Sequence, residues 1–406
     1  MNLKLENISS IENNTLQITG SKSETNRLLI LQALYPNIEI ENVSNSDDSK
    51  LMQRALRSNE VVIDIHHAGT AMRFLTAYFA VKKGRETILT GSKRMQERPI
   101  KILVNALRQL GCAISYEKKE GYPPIKILGR QPISNQVTLK ANVSSQYISA
   151  LMLVAASLPD GLVIILNGKV TSVPYINMTL SLLKDVGIAG TFENNVITIL
   201  SNNDDLSQKV RVESDWSSAS YFYSIVALAN INDSVTIGSY KKESYQGDSA
   251  LIEIYRDLGV ETSFDDNIIT LTKVSNEIRL PEGLDLSNSP DIAQTIAVTC
   301  FGLGLRCYLT GLHTLKIKET DRLEALKTEI EKLGGSVTIT QDTLRLESSK
   351  SIKADVSIAT YNDHRMAMAF APLALRNSLY IENADVVSKS YPDFWSDLKK
   401  LGFKIL

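Results

Sequence analysis

Six segments of the chain pair a polar or charged doorstep with an almost wholly apolar run of helical length. They are Ser21–Arg27 before Leu28–Leu34, Ala68–Arg73 before Phe74–Ala80, and Ser144–Gln146 before Tyr147–Ala156. The remaining three are Ser214–Ser218 before Ala219–Ala229, Ser289–Asp291 before Ile292–Phe301, and Asn362–Arg365 before Met366–Leu375. A helix that is apolar on nearly every side is buried. Its first turn carries amides without intrahelical partners and a partial positive charge, which together favour anions.

A second pattern lies between these runs. An amphipathic helix ends in glycine and leads into two short strands joined by a tight turn. The glycines, Gly111, Gly187, Gly259, Gly334 and Gly402, are 76, 72, 75 and 68 residues apart. Glycine there suits the left-handed residue that closes a helix. Turns such as Asn194-Asn195 and Asp266-Asn267 suit hairpins. Ala55–Asn59 before Val61–Ile65 reads as a shortened copy without the glycine. Each unit then holds strand, buried helix, strand, exposed helix and hairpin, and six units fill the chain. The last ends after one hairpin strand, and the N-terminal strands Leu3–Ile8 and Thr15–Ile18 are expected to complete it. The expected domains are 1–20 plus 214–406, and 21–213. A cleft between them, lined by the doorsteps, is the expected ligand site.

Composition narrows the partners. The chain has 406 residues, 43% of them hydrophobic, and its 44 basic and 45 acidic residues leave a net charge of −1. That balance gives no reason to expect nucleic acid. Cys112, Cys300 and Cys307 form neither a metal-spaced pair nor a disulfide framework, which suits a reducing cytoplasm. No apolar run reaches the length of a membrane span, and four histidines, His66, His67, His313 and His364, without metal-ligand spacing make a zinc site improbable.

The doorsteps carry the chemistry. Gly20-Ser21-Lys22-Ser23 lacks the spacing of a nucleotide P-loop. Ser23 and Arg27 nevertheless share a helix face at i, i+4, where a hydroxyl and a guanidinium suit a carboxylate or phosphate. Gly69 would let backbone approach an anion. Arg73 stands at the positive end of a helix dipole, which suggests an anionic partner. Arg98 and Lys389 read by themselves as surface cations. Lys318 and Arg322 are i, i+4 with Glu319 beside them, and Glu319 is a candidate proton-transfer group. Asp291 is a second candidate, although an N-terminal aspartate is also an ordinary cap.

Taken in order, the segments GSKSETNR (20–27), AGTAMR (68–73), RMQERP (94–99), SSQY (144–147), QGD (246–248), KETDR (318–322), YNDHRMAMAF (361–370) and SKSYPDF (388–394) closely resemble the 5-enolpyruvylshikimate-3-phosphate synthases. The resemblance implies an α/β protein of two domains in an inverse α/β barrel-like fold. Each domain would hold three βαβαββ repeats, with helix N-termini facing an inter-domain cleft. It implies transfer of the enolpyruvyl group of phosphoenolpyruvate to the 5-hydroxyl of shikimate 3-phosphate, without cofactor or metal, in a cytoplasmic monomer.

The resemblance also implies roles. Asp291 takes the hydroxyl proton, Glu319 protonates the methylene carbon, and Lys22 contacts both substrates and shares proton transfer. Lys22, Ser23, Arg27, Ser144, Ser145, Gln146, Ser172, Tyr175, Asp291 and Lys318 fall on the shikimate 3-phosphate set. Lys22, Gly69, Arg73, Arg98, Gln146, Arg322, His364, Arg365 and Lys389 fall on the phosphoenolpyruvate set. Three positions depart from the family pattern: His67 for asparagine, Phe74 for proline, and Thr314 for asparagine. The sister transferase acting on UDP-N-acetylglucosamine is the nearest alternative, but the loop Ser92–Glu97 lacks its cysteine. A non-catalytic phosphate-binding protein would explain the basic doorsteps but not Asp291 and Glu319 among them.

Overall fold

The computed structural model describes the chain except Asn142, Val143, Lys169, Thr171, Ser172, Asn203 and Pro281. The chain divides into two compact units, Gly20–Val212 and Met1–Thr19 with Glu213–Leu406.

All six apolar runs are helices: Lys22–Leu34, Gly69–Val81, Ser145–Ala155, Trp216–Leu228, Ala293–Gly302 and His364–Phe370. Every residue of Trp216–Leu228 is buried, as is every residue of Ala293–Gly302. Some of their hydroxyl side chains meet one another. Ser220 Oγ lies 3.0 Å from Thr295 Oγ1, and Thr299 Oγ1 donates to Ser224 Oγ at 2.8 Å. Such pairing removes the cost of burying a lone hydroxyl.

The repeats build sheets of one plan: two parallel strands, then an antiparallel hairpin whose second strand lies inside. In Gly20–Val212 the spatial orders are Val62–Asp64, Glu86–Thr90, Ile125–Leu128, Ala113–Tyr116, and Gln136–Lys140, Leu162–Asn167, Val196–Ile199, Gly190–Glu193. In the other unit they are Asn14–Leu16, Ser234–Gly238, Ile268–Lys273, Val260–Asp265, and Leu284–Asp285, Cys307–Thr310, Leu344–Leu346, Val337–Ile339. The third sheet places Leu3–Leu5 antiparallel to Leu379–Ile381, and Leu5 bridges to Ile405. The N-terminus thus supplies an inner hairpin position there and an outer parallel strand in the first sheet.

One expectation changes. Val62–Asp64 is not a shortened hairpin of its own repeat but pairs parallel with Glu86–Thr90 as the first strand of the next. The first repeat of Gly20–Val212 is a parallel pair, Glu39–Glu41 with Lys209–Arg211, joined from opposite ends of the unit. Local periodicity reads a strand but not its partner.

The helix-ending glycines at 111, 187, 259, 334 and 402 all have φ between 80° and 99°. At Gly259 an added Cβ would sit 2.0 Å from the Ser275 carbonyl oxygen. Gly259→Ala is therefore expected to cost at least about 1–2 kcal/mol from the left-handed backbone alone, with the clash in addition. Both tryptophans, Trp216 and Trp395, lie in this unit. Their fluorescence during urea unfolding should show an earlier midpoint, and an unchanged midpoint would contradict the packing described.

Candidate functional site

In Gly20–Val212 two of the buried apolar helices start without a side-chain cap. Neither Ser21, before Lys22–Leu34, nor Ala68, before Gly69–Val81, makes a capping hydrogen bond. Ser21 Oγ is buried without a hydrogen-bond partner among the described residues. Uncapped first-turn amides are available to an anion. By contrast Ser144 accepts from the Gln146 amide, Asp215 from the Ser218 amide, and Asp363 from the Arg365 amide.

Side chains gather at these two starts. Lys22 Nζ lies 3.7 Å from Asp48 Oδ2, and His67 Nε2 lies 3.8 Å from Asp48 Oδ1. Arg98 folds over Gly69 so closely that a Cβ there would meet Nη1 at 2.5 Å. Arg98 Nε is buried and has no hydrogen-bond partner among the described residues. A buried N–H without an acceptor costs about 1–3 kcal/mol. Gln146 Nε2 donates to Thr70 Oγ1 at 3.3 Å, which brings the start of Ser145–Ala155 to the start of Gly69–Val81.

Two predicted ligands have internal work. Arg27 donates through Nε to Thr179 Oγ1 at 2.8 Å, through Nη1 to the Ser23 carbonyl at 2.7 Å, and through Nη2 to Ser149 Oγ at 3.1 Å. Its guanidinium also faces the rings of Phe74, at 5.4 Å, and Tyr175, at 5.9 Å. Burial pulls Arg27 down to about 10, opposed by Tyr175 and Glu24. Phe74 therefore supplies a π-face to this cation, a contact unavailable to proline. Arg73 was expected to need an anion. Its Nη1 donates to the Gly69 carbonyl at 3.0 Å and its Nη2 to the Pro99 carbonyl at 3.3 Å. Through these carbonyls Arg73 ties the Arg98-Pro99 turn to the helix start. Ser172 lies outside the described residues.

The second unit centres on Arg322, the first residue of the helix Arg322–Lys332 and 1% exposed. Its Nε donates to Asp363 Oδ2 at 2.6 Å, Nη1 to Asp291 Oδ1 at 2.9 Å, and Nη2 to Glu319 Oε2 at 2.8 Å. Burial acts to lower its pKa, but Asp363, Glu319 and Asp291 outweigh that and raise it. Lys318 Nζ stands 3.6 Å from Asp291 Oδ1, and burial holds its ammonium below the usual lysine range despite that carboxylate.

Arg365 packs beside this hub. Its Nη1 donates to the Asp291 carbonyl at 3.0 Å, and its Nη2 lies 3.5 Å from Asp291 Oδ2. Its Nε is buried without a hydrogen-bond partner among the described residues. His364 Nδ1 is 3.9 Å from Asp363 Oδ1, and Lys389 Nζ donates to the Asn362 carbonyl at 2.6 Å. Asp291, Lys318, Glu319, Arg322, His364, Arg365 and Lys389 are thus assembled by three helix starts and two connecting turns.

Sequence reasoning passed over Asp48 and Asp363. Both sit at helix starts, where an acidic residue is ordinarily a cap or a dipole partner, and their cationic partners are distant in the chain. The substituted Thr314 leaves its Oγ1 buried without a hydrogen-bond partner among the described residues.

Residues 57–398 match the family model described as EPSP synthase (3-phosphoshikimate 1-carboxyvinyltransferase). A 3-phosphoshikimate 1-carboxyvinyltransferase of Bacteroides fragilis is 46% identical over 396 residues, covering 96% of each chain. One from Histophilus somni is 34% identical over 433 aligned positions, covering 98% of each. An EPSP synthase structure from Acinetobacter baumannii shares the fold with a TM-score of 0.79 at 20% identity, covering 100% of this chain and 99% of that one.

Proposed function

The chain belongs to the EPSP synthase family, and from that membership we propose how its two residue sets divide the transfer of an enolpyruvyl group from phosphoenolpyruvate to the 5-hydroxyl of shikimate 3-phosphate. The observation that carries the proposal is the Arg322 hub, where one guanidinium holds Asp291 at 2.9 Å and Glu319 at 2.8 Å.

The chemistry needs two carboxyl groups with opposite tasks. Asp291 removes the 5-hydroxyl proton as that oxygen attacks the enol carbon. Glu319 delivers a proton to the methylene carbon, making it a methyl group. The carbon–oxygen bond to phosphate then breaks, the methyl returns a proton to the Glu319 carboxylate, and the enol ether re-forms. General acid–base help of this kind contributes about 10²–10⁴-fold. An incoming substrate carboxylate on Arg322 would compete with Glu319 for its cation, leaving Glu319 able to carry a proton.

The remaining groups bind charge. Lys22, Ser23, Ser144, Ser145 and Lys318 serve shikimate 3-phosphate, with Ser172 assigned there by the family resemblance alone. Arg27 and Tyr175 form one wall of that subsite, with Arg27 pinned by neutral partners. Lys22, Gly69, Arg98, Gln146, Arg322, His364, Arg365 and Lys389 serve phosphoenolpyruvate. The buried Nε–H groups of Arg98 and Arg365, without a hydrogen-bond partner among the described residues, support this, because anionic oxygens are their natural acceptors. Arg73 positions Arg98 through Pro99. We assign the enzyme to the cytoplasm as a monomer, without cofactor. No described helix is long and apolar enough to cross a membrane.

Phosphate release tests the reading. It should require both substrates, and UDP-N-acetylglucosamine should not replace shikimate 3-phosphate. Release with the UDP-sugar would assign the chain to the sister reaction. Gly69→Ala gives a finer check, because its Cβ would displace the Arg98 guanidinium. KM for phosphoenolpyruvate should rise about tenfold, the loss of one charge-assisted hydrogen bond, with KM for shikimate 3-phosphate unchanged. Equal rises in both would contradict the division of labour.

A further inference from the structure

The start of the helix Trp216–Leu228 is clamped to a loop that the proposed reaction leaves without a role. Gln246 Oε1 accepts from the Trp216 amide at 2.9 Å, while its Nε2 donates to the Ser214 carbonyl at 2.9 Å. Glu213 accepts from Trp216 Nε1 at 2.7 Å, from Ser244 Oγ at 2.6 Å and from the Lys241 amide at 2.8 Å. The clamp carries Asp248 into the interior, where it is 6% exposed. There Ser217 Oγ donates a short hydrogen bond to Asp248 Oδ2 and accepts from Arg365 Nη2 at 3.2 Å. The chain of contacts ends on Asp291, which Arg365 meets through both terminal nitrogens.

We propose that Asp248 and Ser217 are positioning residues for phosphoenolpyruvate: through the Ser217 hydroxyl, the Asp248 carboxyl holds Arg365 against Asp291 and modulates how much of the Arg365 charge reaches the substrate anion. The inference rests on Arg365 receiving that anion. Packing alone does not account for an acid here. An asparagine of the same shape would accept the same Ser217 hydrogen bond without the cost of a buried charge.

The charged groups facing Asp248 are Asp291 on the turn Pro290–Ile292, Arg365 on His364–Phe370, and Asp215 at the cap of Trp216–Leu228. Burial, reinforced by Asp291, pushes the Asp248 carboxyl up to about 7, against the pull of Arg365 and the Ser217 hydrogen bond. Below that pH the acid is neutral and Arg365 presents its full charge. Above it a carboxylate shares Arg365 and repels the incoming anion. Affinity for phosphoenolpyruvate therefore falls as pH rises through neutrality.

Steady-state kinetics on both sides of pH 7, with the full-length protein and saturating shikimate 3-phosphate, test this. The wild type should show KM for phosphoenolpyruvate rising several-fold with pH. Asp248→Asn should remove that rise, leaving KM for shikimate 3-phosphate unchanged. Ser217→Ala should raise KM for phosphoenolpyruvate about tenfold at every pH, the loss of one hydrogen bond to a charged group. An Asp248→Asn profile that follows the wild type, or a Ser217→Ala enzyme with wild-type KM, overturns the proposal. A change confined to thermal unfolding of either variant does the same, since that is all a structural role would move. Arg365→Lys separates the two levels. If it leaves KM for phosphoenolpyruvate unchanged, Arg365 is not the anion's partner and both readings fail. If it raises KM while Asp248→Asn keeps the wild-type profile, the present inference alone fails.

Discussion

Replacing Arg322 by methionine is expected to abolish turnover and to destabilise the unit that contains it by about 3–5 kcal/mol, the cost of breaking a buried ion pair from one side. Methionine fills much of the volume, so packing is not the main loss. The loss is electrostatic. Asp363, 0% exposed, keeps its carboxylate in the interior without the Nε–H that now meets it at 2.6 Å. Asp291 and Glu319 lose partners at 2.9 and 2.8 Å in the same step. Urea unfolding followed by tryptophan fluorescence reads this unit selectively, because Trp216 and Trp395 both belong to it.

The double variant Arg322→Met/Asp363→Asn separates charge from shape. It leaves one buried carboxylate fewer, so part of the lost stability should return while activity stays absent. A double variant less stable than the single one would contradict the electrostatic account, since asparagine keeps an Oδ1 able to accept from the Arg365 amide as Asp363 does at 2.9 Å.

What the chain disclosed in advance was whatever repeats locally. The six apolar helices were legible because each is a continuous run. The closing glycines and the Asn and Asp turns were legible because positive φ restricts the residues that adopt it. Pairing between distant segments was not. Val62–Asp64 has the pattern of any short strand, and only its parallel partner Glu86–Thr90 assigns it to the next repeat. The site divides in the same way. Lys318, Glu319 and Arg322 stood together in the sequence, but the helix begins only at Arg322, so a turn rather than a shared i, i+4 helix face brings them together. Asp48 and Asp363 did not declare themselves, because the cations they meet come from other elements. Arg73 declared itself only as a cation at a helix start; that its Nη1 and Nη2 donate to the Gly69 and Pro99 carbonyls was not legible, because the Pro99 turn comes from elsewhere in the chain. QGD was visible as a motif, yet its aspartate carried no chemical meaning until Ser217 and Arg365 were placed beside it.

Glu319→Gln is expected to lower kcat by about 10²–10⁴-fold, the range of general acid–base catalysis, with KM for either substrate changed little. Glutamine keeps the length and an oxygen that accepts from Arg322 Nη2, so the hub should persist. It cannot deliver a proton to carbon. A fall in kcat and kcat/KM together is the signature of a group used in the transition state rather than in binding. The converse pattern, a raised KM with kcat preserved, would make Glu319 a structural partner of Arg322.

Turnover in D₂O tests the carboxylate roles most directly. If Glu319 protonates the methylene carbon, that carbon becomes a methyl group before phosphate leaves, and solvent deuterium must appear in the vinyl group of the product. The expected result is deuterium at that carbon in the wild-type product, with incorporation and phosphate release falling together in Glu319→Gln. Phosphate release without deuterium in the product, or Glu319→Gln turnover at the wild-type rate, would contradict the assignment of the Arg322-bound carboxylates to proton transfer.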